Sequence, residues 1–182
     1  LPPLMPNFSL QLKGDFQNVT GLVPADGVET ELLVQLECTS CHELHPRAVA
    51  LLPSNVDELQ NSRGQANLVM NCPNCRKENS AKFALKGDAK MGSTSPWQAV
   101  EVASDAAPSF HTLCTVEFRG IEPKEPTIDG LLAESSSWQC RGSESGTPFS
   151  EVSFDDGEWH DYDEKQGDEV GITDVELRWQ RV

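Results

Sequence analysis

Ile172-Thr173-Asp174-Val175-Glu176-Leu177-Arg178-Trp179 sets Ile172, Val175, Leu177 and Trp179 among polar neighbours. This is the alternation expected of a strand that lays one face on a core and the other in water. The same habit recurs along the chain. Phe8, Leu10 and Leu12 alternate with polar residues; so, with Leu33 intruding, do Leu32, Val34 and Leu36, then Phe83 and Leu85, then Leu113, Val116 and Phe118. Turn formers stand between these runs: Lys13-Gly14-Asp15, Asp26-Gly27, Lys86-Gly87-Asp88, Asp129-Gly130, Arg141-Gly142 and Asp156-Gly157. With 13 Gly and 12 Pro among 182 residues, punctuation this frequent favours short antiparallel strands, and the expected fold is mainly β.

One segment reads otherwise. Ser54-Asn55-Val56-Asp57-Glu58-Leu59 predicts a short helix, with Ser54 capping an amide three residues on, Asp57 answering it, and Gly64 ending the segment. Between Asp88 and Ser109, small and polar residues with Pro96 and Pro108 predict a linker, with Trp97 placed to pin it to one half. The chain then divides into residues 1–95 and 96–182, two β halves packed as one compact unit. A weak echo supports the division. Gly21-Leu22-Val23-Pro24 with Asp26-Gly27 follows Phe16, Gly120-Ile121-Glu122-Pro123 with Asp129-Gly130 follows Phe118, and a strand then runs to Cys38 in one half and Cys140 in the other. Two related halves account for this echo; so does a chance likeness of Gly-Pro turns.

A chain of 182 residues has room for one ordinary domain or two small ones, with a real core. No uncharged apolar run approaches the ~18 to 20 residues of a membrane-spanning helix. Lys and Arg total 14 against 29 Asp and Glu, a formal charge of −15, and such a surface repels phosphate backbones and anionic lipid. Nucleic-acid and membrane partners are therefore not expected. The charge is lopsided: residues 1–97 carry 8 basic and 10 acidic side chains, a net of −2, and residues 98–182 carry 6 and 19, a net of −13. At the amino end Leu1 to Leu4 hold no initiator Met and no charged n-region, and nothing before Lys13 resembles a secretory core, so Met5 reads as the native start. The expected setting is cytoplasmic, or nuclear, and the sequons Asn7-Phe8-Ser9 and Asn18-Val19-Thr20 are discounted accordingly.

Four of the six cysteines fall as Cys38-Thr39-Ser40-Cys41 and Cys72-Pro73-Asn74-Cys75. A two-residue gap lets one turn aim both sulfurs at a common point, and two such turns supply four thiolates to a tetrahedral Zn2+. The 30 residues between the pairs exceed the ~15 to 20 of a compact zinc ribbon, so neighbouring strands must bring the two knuckles together. Three other readings compete. Disulfides would need an oxidising compartment. A redox dithiol is suggested by Cys-Pro-Asn-Cys, but Arg76-Lys77-Glu78-Asn79-Ser80 leads into the strand-like Ala81-Lys82-Phe83-Ala84-Leu85 rather than the helix that activates such thiols. A catalytic zinc would keep an open position, which four cysteines close.

His42 and His45 follow the first knuckle and could replace a sulfur, although the cysteine set is already complete. Arg76 and Lys77 are placed to screen the net −2 of four thiolates around one Zn2+. Cys114 and Cys140 read as buried packing. The acidic tract Asp155 to Glu164 lacks the loop order of an EF-hand and reads as a solvated loop or an acidic interaction surface. There is no Walker loop and no Gly-x-Gly-x-x-Gly, and Gly142-Ser143-Glu144-Ser145-Gly146 places Glu where a nucleophile elbow needs Ser. An enzyme is not expected.

The paired knuckles, Gly-Leu-x-Pro near the start, Phe118-Arg119-Gly120-Ile121-Glu122-Pro123, and Trp159-His160-Asp161-Tyr162-Asp163-Glu164-Lys165 followed by Val170-Gly171-Ile172 together resemble the eukaryotic CXXC-motif-containing zinc-binding protein family. The similarity runs from about Met5 to the carboxyl end. It implies a mainly-β protein of two similar halves, one zinc at Cys38, Cys41, Cys72 and Cys75, and no established catalysis. The combined expectation is a sandwich-like pair of antiparallel β halves with one or two short helices and a structural four-cysteine Zn2+ site in the first half. As a function it suggests a monomeric interaction module that shows its acidic second half to a protein partner. The alternative is a thiol-based protein that handles Zn2+ or Cu(I), or does redox work.

Overall fold

Leu10, Leu12, Leu113, Val116, Phe118 and Ile172 are all sealed from solvent, and the strands that carry them lie side by side. The computed structural model describes residues 6–182; the expected start at Met5 lies outside them. Along the first half run β1 (Asn7–Gln17), β2 (Val19–Pro24), β3 (Leu32–Val34), β4 (Leu36–Cys38), β5 (Val49–Leu51), β6 (Asp57–Glu58), β7 (Gln65–Ala66), β8 (Leu68–Asn71) and β9 (Glu78–Phe83). The second half adds β10 (His111–Arg119), β11 (Ile121–Pro123), β12 (Trp138–Gly142), β13 (Pro148–Val152), β14 (Trp159–Asp163) and β15 (Asp168–Arg181). The fold is mainly β, as the alternation predicts.

Six strands form one antiparallel sheet in the order β14-β15-β1-β10-β9-β8. The order reads the same from either end once β1 is exchanged with β10, β15 with β9 and β14 with β8, so the two halves repeat. The register is not that of the sequence echo, because Thr39 N–H reaches Gly120 O as Ser143 N–H reaches Asn18 O, which sets Gly120 against Asn18 and not Gly21. Each central strand feeds the same next element. β2 follows β1 and pairs with β12, while β11 follows β10 and pairs with β4. A single 3-10 turn follows each, at Gly27–Glu29 and at Ile128–Gly130. Strands from both sides of residue 95 therefore share three of the sheets.

Two breaks in the alternation have a structural cause. Leu113 to Val116 and Ile172 to Val175 are each three residues apart instead of two. In β10 the register against β1 slips at Leu113, and in β15 it slips between Thr173 and Glu176, where Asp174 takes φ 52°. Each strand carries one extra residue there, a bulge, which restores the apolar side chains to the core face. Phe118 then meets Phe8 and Trp179 edge-on, with centroids 5.7 and 5.6 Å apart.

The helix expected at Ser54 does not form. Asp57–Glu58 pairs instead with Gln65–Ala66, and the Ser54 hydroxyl donates to Glu29 Oε2 at 3.1 Å. The deciding residue is Asn67, buried at 3% exposure. Its amide donates to the Pro53 and Asn55 carbonyls at 3.0 and 2.9 Å and accepts from Phe83 N–H at 2.9 Å. Those long-range bonds satisfy the segment's backbone and override a weak local propensity. The linker is also less loose than its composition suggests, since Val100 is fully buried and bridges to Leu22.

Candidate metal centre

Cys38 closes β4 and Cys41 lies in the turn after it; Cys72 follows β8 and Cys75 lies in the turn before β9. Each turn is closed the same way. His42 N–H donates to Cys38 O and Arg76 N–H to Cys72 O, both at 2.9 Å, while Cys38 N–H reaches Glu43 O at 3.0 Å and Cys72 N–H reaches Lys77 O at 2.9 Å. The residue after each second cysteine is left-handed, His42 at φ 62° and Arg76 at φ 68°. These are positions where a chain usually uses Gly or Asn, so residue type gave no sign of the left-handed step that ends each turn.

Folding brings the four cysteines named from the spacing into one cluster, with all four sulfurs within 4.8 Å of one another. Cys38 Sγ lies 3.7 Å from Cys75 Sγ and Cys41 Sγ lies 3.6 Å from Cys72 Sγ. A metal about 2.3 Å from each of four tetrahedral sulfurs keeps them about 3.8 Å apart. Neither pair is at bonding distance, and all six cysteines are free in the structure.

The electrostatics point the same way. Burial pushes the Cys38 thiol up, but the N–H groups of Cys41 and Ser40 and the sulfurs of Cys75 and Cys41 bring it down to about 6. The Asn74 side-chain amide and the Glu43 N–H hold Cys41 below the ordinary thiol value. Lys77 N–H favours the Cys75 thiolate, yet burial and the three neighbouring sulfurs leave it pushed up to about 11. Four sulfurs this close cannot all be anions unless a cation sits among them. The donor set fits a soft divalent ion.

His42 is exposed and His45 Nδ1 lies 3.1 Å from Arg47 O, so neither joins the sulfur cluster. Arg76 and Lys77 are exposed; Arg76 supplies the left-handed turn and Lys77 its backbone N–H. Asn74 is the residue that the sequence reading passed over, and no signal beyond its place between two cysteines marks it. Cys114 is fully buried in β10, and burial lifts its thiol far above the usual range; burial and the Asp161 carboxylate push Cys140 up to about 12. Both are packing residues. Beside the cluster opens a cleft of about 320 Å³ lined by Leu36, Cys38, Leu44, Met70, Cys72 and Ile121 among others.

A family model described as CXXC motif containing zinc binding protein, eukaryotic, matches residues 9–180. This chain belongs to that family. Among its relatives, the CXXC motif containing zinc binding protein of Xenopus laevis is 32% identical, with 96% of this chain and 98% of the relative covered. The human protein of the same name is 30% identical over 94% of this chain and 96% of its own length. A solved structure, the crystal structure of C1orf123, superimposes with a TM-score of 0.79 at 27% identity, covering 97% of this chain and 99% of that one. Within this zinc-binding family member, the four cysteines are the one group among the described residues that could hold a metal ion.

Proposed function

We propose that Cys38, Cys41, Cys72 and Cys75 hold a structural Zn2+ that ties the turn after β4 to the turn between β8 and β9. What carries this reading is the convergence of four sulfurs within 4.8 Å from two identically closed turns. Bound zinc would cross-link segments 31 residues apart in sequence, and structural sites of this kind contribute apparent energies of the order of ~10 kcal/mol. On this reading the protein is no enzyme. It is an intracellular, monomeric interaction module, and its acidic second half faces a protein partner rather than nucleic acid or lipid.

Metal content by native mass spectrometry, with Cys72→Ser as the variant, tests the site. The reading predicts one zinc per chain, its loss in the variant and a lower melting temperature. A variant that kept stoichiometric zinc and full stability would remove the assignment. A pull-down comparing the native chain with one neutralised across Asp155 to Glu164 tests the acidic face.

One observation favours a second reading, in which the thiolates exchange Zn2+ or Cu(I). Cys38 and Cys72 border the open cleft, and Cys41 and Cys75 are only half-buried. Accessibility separates the two: slow alkylation and resistance to mild chelators mark a structural ion, while fast and reversible reaction marks a transfer site.

A further inference from the structure

Asp163, the last carboxylate before the turn of the β14–β15 hairpin, is 2% exposed. A carboxylate survives such burial only where its oxygens are matched by donors. Four donors reach this one. Ser145 Oγ–H bonds Oδ2, while Thr147 Oγ1–H at 2.8 Å and the N–H groups of Lys165 and Gln166, both at 3.1 Å, bond Oδ1.

These donors sit on two turns that repeat the cysteine turns bond for bond. Gly146 N–H donates to Gly142 O at 3.0 Å and Gly142 N–H to Thr147 O at 2.8 Å, as His42 does to Cys38 and Cys38 to Glu43. Gly167 N–H donates to Asp163 O at 2.7 Å, as Arg76 does to Cys72. Ser143 N–H reaches Asn18 O at 3.0 Å, and Thr39 N–H reaches Gly120 O at the same distance. The left-handed residues match as well, Gly146 at φ 72° and Gly167 at φ 73° against His42 and Arg76. Position 142 thus corresponds to Cys38, 145 to Cys41, 163 to Cys72 and 166 to Cys75.

We propose that the turns at 142–147 and 163–168 are a second copy of the metal knuckles, in which the Asp163 carboxylate takes over the fastening done by an ion in the first copy. The side chains agree. Cys41 faces Cys72 across the first pair of turns, and Ser145 faces Asp163 across the second. Thr147 N–H donates to Ser145 Oγ at 3.1 Å, the counterpart of the Glu43 N–H at Cys41. The amides two and three residues on bond Asp163 just as those of Ser40 and Cys41 bond the Cys38 sulfur. Gly142 completes the exchange. A Cβ there would run into Ser145 Oγ and Asp163 Oδ2, so the loss of a side chain at the position equivalent to Cys38 clears the space the carboxylate fills. Four converging anions demand a cation. One anion ringed by four donors demands none.

The comparison rests on the zinc reading above, so the test has two arms that fail separately. In the first, Gly142→Cys, Ser145→Cys, Asp163→Cys and Gln166→Cys are combined and the chain is loaded with Co2+. Thiolate-to-cobalt absorption and metal content should rise from about one to about two ions per chain. A folded variant that still holds a single ion overturns the proposal. In the second arm, Asp163→Asn is made in the otherwise native chain. Amide exchange at Lys165 and Gln166, whose N–H groups bond Oδ1, should speed up by about tenfold or more, with exchange at the cysteine turns and metal content unchanged. Unaltered protection at those two amides overturns the proposal even if the four-cysteine chain does not fold. If the native chain proves to hold no metal, the zinc reading falls while the second arm still decides this one.

Discussion

Trp97 Nε1 donates to the carbonyl oxygen of Gly27 at 3.0 Å, joining positions 70 residues apart. Its ring also meets Phe83 edge-on at 5.8 Å. The residue therefore fastens the connector between the halves to the turn after β2. Trp97→Phe keeps most of the ring packing and loses the bond, and should cost about 1 kcal/mol in urea unfolding. Trp97→Ala should cost ~3 to 5 kcal/mol. Equal costs for the two would show that the bond, not the ring, does the fastening.

Gly120 has φ 75°, and a Cβ there would strike the Asn79 side-chain amide. Gly120→Ala should therefore destabilise by at least ~1 to 2 kcal/mol. Its counterpart in the repeat, Asn18, holds φ 59° as a residue type that tolerates that region. Asn18→Gly should stay within about 1 kcal/mol of the native chain. Denaturant midpoints at unchanged slope are the measurement, and a harmless Gly120→Ala would contradict the geometry.

Acid provides a third test. The Ser145 hydroxyl first, against the opposing effect of burial, then Gln166 N–H, Thr147 and Lys165 N–H, hold the Asp163 carboxyl below its ordinary value. A group whose folded value is depressed contributes stability above its unfolded pKa of about 3.9, and that contribution is lost as pH falls through the lower, folded value. The stability gap between the native chain and Asp163→Asn should be level above about pH 5 and close below about pH 4. A gap that persisted unchanged through that acid range would mean the charge is not what matters.

Chelation should act unevenly. Stripping metal removes the cation that holds the four close sulfurs together, and it does so in the first half only. Hydrogen exchange should then quicken first at residues 36–43 and 70–80, while amides of β14 and β15 keep their protection. Simultaneous loss across both halves would show that the ion supports the whole fold rather than two turns of it.

Much of this was legible in the chain. Alternation placed the core strands, and the knuckle spacing named all four sulfurs before their geometry was known. Other features hid for physical reasons. The Ser54 helix signal was local, whereas Asn67 acts through partners at Pro53 and Phe83. Bulges at Leu113 and near Asp174 left only an odd spacing in an otherwise even pattern. The second pair of turns was invisible because half the donors to Asp163 are backbone amides, which every residue but proline possesses. Gly142-Ser143-Glu144-Ser145 therefore read as a failed catalytic elbow, and Asp163 as one acid among many.

The pairing of β2 with β12 and of β11 with β4 has a consequence for how the chain is made. Emerging from the ribosome, β2 and β4 must wait roughly a hundred residues for their mates, so the leading portion leaves the exit tunnel with unpaired edges. Assembly dominated by such distant partnerships is intrinsically slow, and the waiting segments are open to mispairing with other nascent chains. A fragment ending near residue 95 should consequently aggregate when expressed alone and be rescued by co-expression of the remainder.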